Sequence, residues 1–165
     1  MCGIVAIWCS DRSSAAYGMK AALNELSHRG PDSSNMQWTE TGVLLGHTRL
    51  AIQDPEHGSQ PAALDRGHLT FNGEIYNFKE LRQQLSGTFR SDGDTEVLLA
   101  ALENWGVEQT LPKLNGMFAF AAWNHETREL VLARDRLGQK PLYYGFFENR
   151  FVFCSELHSL KALPR

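Results

Sequence analysis

Two apolar runs joined by a short polar turn occur twice in the last third of this chain, and no other feature restricts its fold as much. The first is "GMFAFAAWNHETRELVLARD" and the second "PLYYGFFENRFVFCSE", with "EN" at its turn. Strands joined by a few residues pair antiparallel, because a parallel pair needs a crossover of a dozen residues or more. The chain must therefore build antiparallel sheet.

The rest supplies more strands and the helices to cover them. Residues 3 to 9, "GIVAIWC", form an apolar run that predicts a strand buried on both faces. Ser13 and Ser14 are candidate N-caps for a helix whose stripe is Ala16, Met19, Leu23 and Leu26. "HRGPD" ends that helix, with His28 in the last turn. "GVLLGHTRLAI" and "HLTFNGEIYN" read as strands broken by polar clusters, and "FKELRQQL" returns to helical spacing. Asp94 or Thr95 caps a further helix, "EVLLAALENW", which Gly106 stops. No internal repeat or linker composition divides residues 1–165, so one domain is expected. The tail "LHSLKALPR" has no obvious domain end, which predicts a larger parent protein.

A net charge of -3 carries no electrostatic footprint for nucleic acid or an anionic membrane, so a small-molecule partner is expected. The first apolar run lacks a positive flank and is too short to span a bilayer. Cys2, Cys9 and Cys154 are an odd number without framework spacing, which fits a reducing, cytoplasmic setting.

Cys2 is the residue with the most specific chemistry. A thiol attacks as its thiolate and needs a base, and removal of Met1 converts the Cys2 nitrogen into a free α-amine on the nucleophile's own Cα. An α-amine titrates near pH 7.7 to 8.0, which leaves a useful neutral fraction. Gly3 then lets the backbone approach a substrate closely. Taken alone, Cys2 reads more readily as an apolar residue packed at a strand start, as most lone cysteines are.

The ordered blocks "MCGI", "HRGPD", "GHTRLAIQD", "FNGEIYN", "SDGDTEV", "LNGMFAFAAWN" and "ARDRLGQKPLYY" cover essentially the whole chain. In that order they resemble the class II glutamine amidotransferase domain, the N-terminal glutaminase domain of glutamine-dependent asparagine synthetases. The resemblance implies an α+β fold, the four-layer αββα sandwich of N-terminal nucleophile hydrolases: two antiparallel sheets flanked by helices. It implies that Cys2 attacks the side-chain amide of L-glutamine, forming a thioester and releasing ammonia, with water then releasing glutamate. Asn72 and Gly73 match the family's oxyanion hole, and Arg49 its carboxylate-binding arginine. Leu50, Ala51, Ile52 and Gln53 would line the same wall, and Glu74 and Asp94 match the partners of the substrate ammonium. No metal or other cofactor is expected in this domain. ATP and magnesium belong to a synthetase domain or partner protein that receives the ammonia, and nothing in this chain matches that domain.

Other readings of the same residues stay open at this stage. "NG" between apolar residues is also a hairpin-turn signal, Arg49 a solvated strand end, and Asp94 a helix cap. Asp92 competes with Asp94 in "SDGDTE", although Asp94 directly precedes "TE". His28 and His47 lack metal-ligand spacing and read as structural. Arg134 to Arg136, "RDR", predicts an ion-pair network at a strand end, and Cys9 and Cys154 are expected to pack inside. An N-terminal-nucleophile acylase for other amides, or a non-catalytic glutamine-sensing or partner-docking domain, are the rival functions.

Overall fold

The computed structural model describes residues 1–52, 57–63, 65–147 and 149–163. In chain order the elements are β1 (Gly3–Trp8), α1 (Arg12–Glu25), β2 (Ser33–Trp38), β3 (Val43–Arg49), β4 (Ala62–Ala63) and β5 (Gly67–Ile75). There follow α2 (Phe78–Gln84), α3 (Asp94–Thr110), β6 (Gly116–Asn124), β7 (Glu129–Arg134), β8 (Tyr143–Phe147) and β9 (Arg150–Cys154). A 3-10 turn, Leu157–Ala162, comes last.

The strands form two antiparallel sheets, ordered β2-β3-β1-β9-β8 and β4-β5-β6-β7. Strand alternation sorts their side chains into three apolar layers. Val5 and Ile7 of β1 face Met19, Ala22 and Leu23 of α1, while Ile4 and Ala6 face Ala119, Ala121 and Trp123 of β6. Phe118 and Phe120 on the other face of β6 pack against Val97, Leu98 and Leu102 of α3. The order is helix, sheet, sheet, helices, which is the expected αββα sandwich. Small residues at 6, 119 and 121 are fully covered where the two sheets meet. The layer is also stitched by hydrogen bonds: Thr70 Oγ1 donates to the Gly46 carbonyl (3.2 Å) and His47 Nε2 to that of Phe71 (3.1 Å). Burial lowers the His47 pKa to about 4, so it makes this bond as a neutral ring.

Local departures from expectation have local causes. The cap of α1 is Asp11, whose carboxylate accepts from the Ser14 N–H (3.2 Å) and the Ser13 hydroxyl (2.9 Å), rather than either serine. Gly93 occupies the N-cap of α3, and Asp94 is already helical. Gly106, at φ +74°, interrupts the helix, which resumes as far as Thr110. The strand β2, "SSNMQW", is polar because it lies at a sheet edge, so it carries no apolar alternation. Cys9 lies just past β1 and is half-buried, whereas Cys154 is buried. The "NG" pair is no turn: Asn72 and Gly73 sit inside β5, opposite Ala119 and Phe118.

Among the described residues, "RDR" forms no ion-pair network. The Asp135 carboxylate accepts backbone N–H bonds from Phe118, Leu137, Gln139 and Lys140. Burial opposes its ionisation, but these donors outweigh that cost and hold its pKa below the ordinary value. Arg134 donates to the carbonyls of Gly138 and Lys140, and Arg136 to those of Leu111, Pro112 and Leu114. The three side chains satisfy backbone groups that loops leave over.

Candidate active site

The first strand determines where Cys2 lies. Gly3 pairs with Thr48, so Cys2, one residue earlier, meets the chain as it leaves β3. Its Sγ accepts a hydrogen bond from the Leu50 N–H (3.5 Å) and donates to the Leu50 carbonyl (3.8 Å). Burial pushes the thiol pKa up, against the opposing pull of the Leu50 N–H and the Arg49 charge. A thiol in this state stays protonated at neutral pH and needs a base to become a nucleophile.

"HRGPD" buttresses that corner. Arg29 Nε donates to the Cys2 carbonyl (2.9 Å), and its Nη1 to Glu156 Oε1 (2.7 Å). Gly30 packs so tightly on Thr48 and Arg49 that a Cβ there would lie 2.3 Å from the backbone. Pro31 bridges to Arg49, and Asp32 Oδ2 accepts from the Ala51 N–H (2.7 Å). The block therefore ties the ends of β1 and β3 together.

One cleft opens at this corner. Cys2, Arg49, Leu50 and Ile52 line one side, and Gly73, Glu74, Gly93 and Asp94 the other. Asp94 is brought in by the first turn of α3, where its Oδ2 accepts from the Ile75 N–H (2.8 Å). Burial raises its pKa to about 6, the Ile75 N–H opposes the rise and the neighbouring Glu74 adds to it. Burial also raises Glu74, against the attraction of Lys140. Two carboxyls that both resist ionisation, across from an arginine, form a site that gains by taking up a cation. Asp92 is fully exposed and paired with Arg82 (3.3 Å), away from this arrangement.

Backbone alternation aims another donor into the cleft. The N–H groups of Phe71 and Ile75 leave β5 on the side away from β6 and are taken by Gln60 Oε1 (2.7 Å) and Asp94 Oδ2. Gly73, midway between them, points its N–H the same way. Its missing side chain has a second reason: a Cβ would lie 2.2 Å from the Met117 carbonyl oxygen of β6. Asn72 is buried on the inter-sheet face, and its Nδ2 has no hydrogen-bond partner among the described residues. A buried amide left unpaired carries a desolvation cost, and a binding site is one place where that cost is tolerated.

The cleft thus gathers Cys2, Arg49, Leu50, Ile52, Gly73, Glu74 and Asp94. Asn72 lies behind that lining rather than in it, Ala51 turns its N–H to Asp32 instead, and Gln53 lies outside the described residues. Sequence reasoning missed Gln60, Ser91 and Thr95, which also line the cleft, and Arg29 behind it. Gln60 bridges Phe71 to the Thr95 hydroxyl (3.3 Å) across a loop, a contact no local pattern announces.

Comparison with known proteins bears on the family and the fold. A family model described as "Glutamine amidotransferase domain" matches residues 1–165. The chain is 41% identical over 174 residues to asparagine synthetase [glutamine-hydrolyzing] 3 of Bacillus subtilis, covering 99% of this chain and 28% of that protein. It is 42% identical over 184 residues to a putative asparagine synthetase [glutamine-hydrolyzing] of Mycobacterium tuberculosis, covering 99% and 28%. In fold it matches the glutamine phosphoribosylpyrophosphate amidotransferase of B. subtilis with a TM-score of 0.80 at 23% identity, over 98% of this chain and 43% of that one. The chain thus spans under a third of the synthetases it matches. With a family model covering its full length, the chain belongs to the glutamine amidotransferase domain family.

Proposed function

We propose that residues 1–165 act as one glutaminase domain, hydrolysing L-glutamine to glutamate and ammonia through an N-terminal cysteine. The observation that carries this reading is the convergence of the Cys2 thiol, Arg49, Glu74 and Asp94 on one cleft. Arg49 binds the substrate α-carboxylate, and Glu74 with Asp94 bind its α-ammonium, which relieves the cost of a buried and a half-buried carboxyl side by side.

Met1 is 54% exposed and so accessible to removal. The Cys2 amine released by that cleavage takes the Sγ proton, and the thiolate adds to the carboxamide carbon of glutamine. Negative charge develops on the amide oxygen, where Asn72 Nδ2 and the Gly73 N–H donate to it. The unpartnered Asn72 amide and the direction of the Gly73 N–H support this assignment. Collapse passes the proton from the amine to the leaving nitrogen, releases ammonia and leaves a thioester on Cys2. Water, deprotonated by the same amine, then releases glutamate and the free thiol.

The ammonia feeds an ATP-dependent amidation of the asparagine-synthetase type, carried out in the cytoplasm by a synthetase domain or partner that holds ATP and magnesium. Likeness to glutamine-hydrolysing synthetases of more than three times this length supports that assignment. Among the described residues no helix is long and apolar enough to cross a membrane.

The test is glutamate release from glutamine by protein whose mass shows loss of Met1. Cys2→Ala is expected to reduce turnover to background, and protein retaining Met1 to be equally inactive. Parental turnover in either form overturns the mechanism.

A further inference from the structure

A second cluster of chemically active side chains lies behind the cleft, where α1 ends. The last carbonyls of a helix lack intrahelical partners. That of Glu25 receives two imidazole nitrogens, His28 Nδ1 at 3.0 Å and His158 Nε2 at 3.3 Å. A neutral imidazole has one N–H, so a ring that donates to a carbonyl presents a lone pair at its other nitrogen. Those nitrogens, His28 Nε2 and His158 Nδ1, both face Glu156 Oε2, at 3.2 and 3.3 Å. Lone pairs set against an anionic oxygen repel, so either a second ring proton or a bound cation must lie between them.

We propose that His28, Glu156 and His158 form a Zn2+ site. A tetrahedral ion with bonds of about 2.0 to 2.1 Å sets its ligand atoms about 3.3 Å apart. Two edges of the cluster already have that length, and all three ligand atoms lie within 4.8 Å of one another. The third edge closes by turning the two rings, which are at least partly exposed. Two imidazoles and one carboxylate make a nitrogen-rich set that suits zinc, whereas calcium and magnesium require oxygen ligands.

The surroundings are those of an outer coordination shell. The Glu25 carbonyl orients both rings, and Arg29 Nη1 donates to Glu156 Oε1 (2.7 Å), which His28 Nε2 approaches at 3.2 Å as closely as it does Oε2. Arg29 also bonds the Cys2 carbonyl, so the ion sits two residues from the backbone of the thiol. His28 and His158 are 130 positions apart in sequence, and only the docking of the Leu157–Ala162 turn beside α1 unites them.

The experiment titrates the full chain with Zn2+ and, separately, with Co2+, in a Cys2→Ala background that removes the cleft thiol. Expected are one bound equivalent by calorimetry and the visible absorption of four-coordinate Co2+, displaced by Zn2+. His28→Gln and His158→Gln should each weaken binding about tenfold or more while leaving the far-ultraviolet circular dichroism of the parent. Because the two side chains stand on different elements, a folding defect in one variant leaves the other to decide. Unchanged affinity in the double variant, absence of saturable binding, or a thiolate-to-Co2+ charge-transfer band overturns the proposal.

Discussion

In the proposed site, Asp94 sets binding against stability within a single side chain. The folded chain holds its proton more tightly than the unfolded chain, with a pKa of about 6 against an ordinary 3.8. Stability from this group is fully present below about pH 4, falls between there and about pH 6, and is lost above. Asp94→Asn, which keeps an acceptor for the Ile75 N–H, should therefore gain on the order of 1 to 3 kcal/mol at pH 7.5 and little at pH 4. Urea unfolding at the two pH values measures this, and the same variant should bind glutamine more weakly. In the parent protein the KM for glutamine should rise as pH falls below 6, because the protonated acid no longer attracts an ammonium. Asn72 separates the other way. Asn72→Leu removes one proposed oxyanion donor and should lower kcat about 10²- to 10³-fold with KM little changed. Its unfolding free energy should stay within about 1 kcal/mol of the parent, since the lost Nδ2 leaves no hydrogen-bond acceptor behind among the described residues.

At the scale of the element, β5 does three jobs through its alternation. One face packs Leu69, Phe71 and Ile75 against the helices, and the other carries Thr70 and Asn72 toward the first sheet. Its free backbone edge points N–H groups at Gln60, the cleft and Asp94. Gly73 holds the strand against β6, so Gly73→Ala must push the Met117 carbonyl away from 2.2 Å. A loss of about 1 to 3 kcal/mol is expected, with a fall in kcat, because the Gly73 N–H shifts with the strand. Gly145→Ala, where a Cβ meets nothing within 4 Å, is the matched control, and denaturation of the two variants side by side checks the difference. Elements with a strong apolar period were legible from sequence: β1, β3, β5 and both late hairpins. The edge strand β2 was not, because a strand with exposed faces needs no apolar pattern. Caps were misread at α1 and α3 because a cap depends on a side chain's rotamer and on the chain before it, while several neighbouring residues offer an oxygen.

Across the whole molecule, the position of Cys2, the proposed nucleophile, depends on the C-terminal third. The strand that leads from Cys2 is flanked on one side by β3 and on the other by β9, and Glu156 anchors the arginine behind Cys2. A fragment ending at residue 141 loses β8, β9 and Glu156 and opens the inter-sheet layer around Phe153. It should lack glutaminase activity and a cooperative urea transition, measured against the full chain. The ordered blocks of sequence carried the family, the layered fold and most of the residues in the cleft, because strand periodicity and short turns are local and motif residues keep their order along the chain. Tertiary structure alone decided that the two late hairpins join different sheets, that Gln60 and Arg29 serve the cleft, that "RDR" binds backbone, and that His28 meets His158. Each of those outcomes depends on the distance in space between residues far apart in the chain. Local sequence does not encode that distance: it arises only when the apolar faces of two sheets and their helices close on one another.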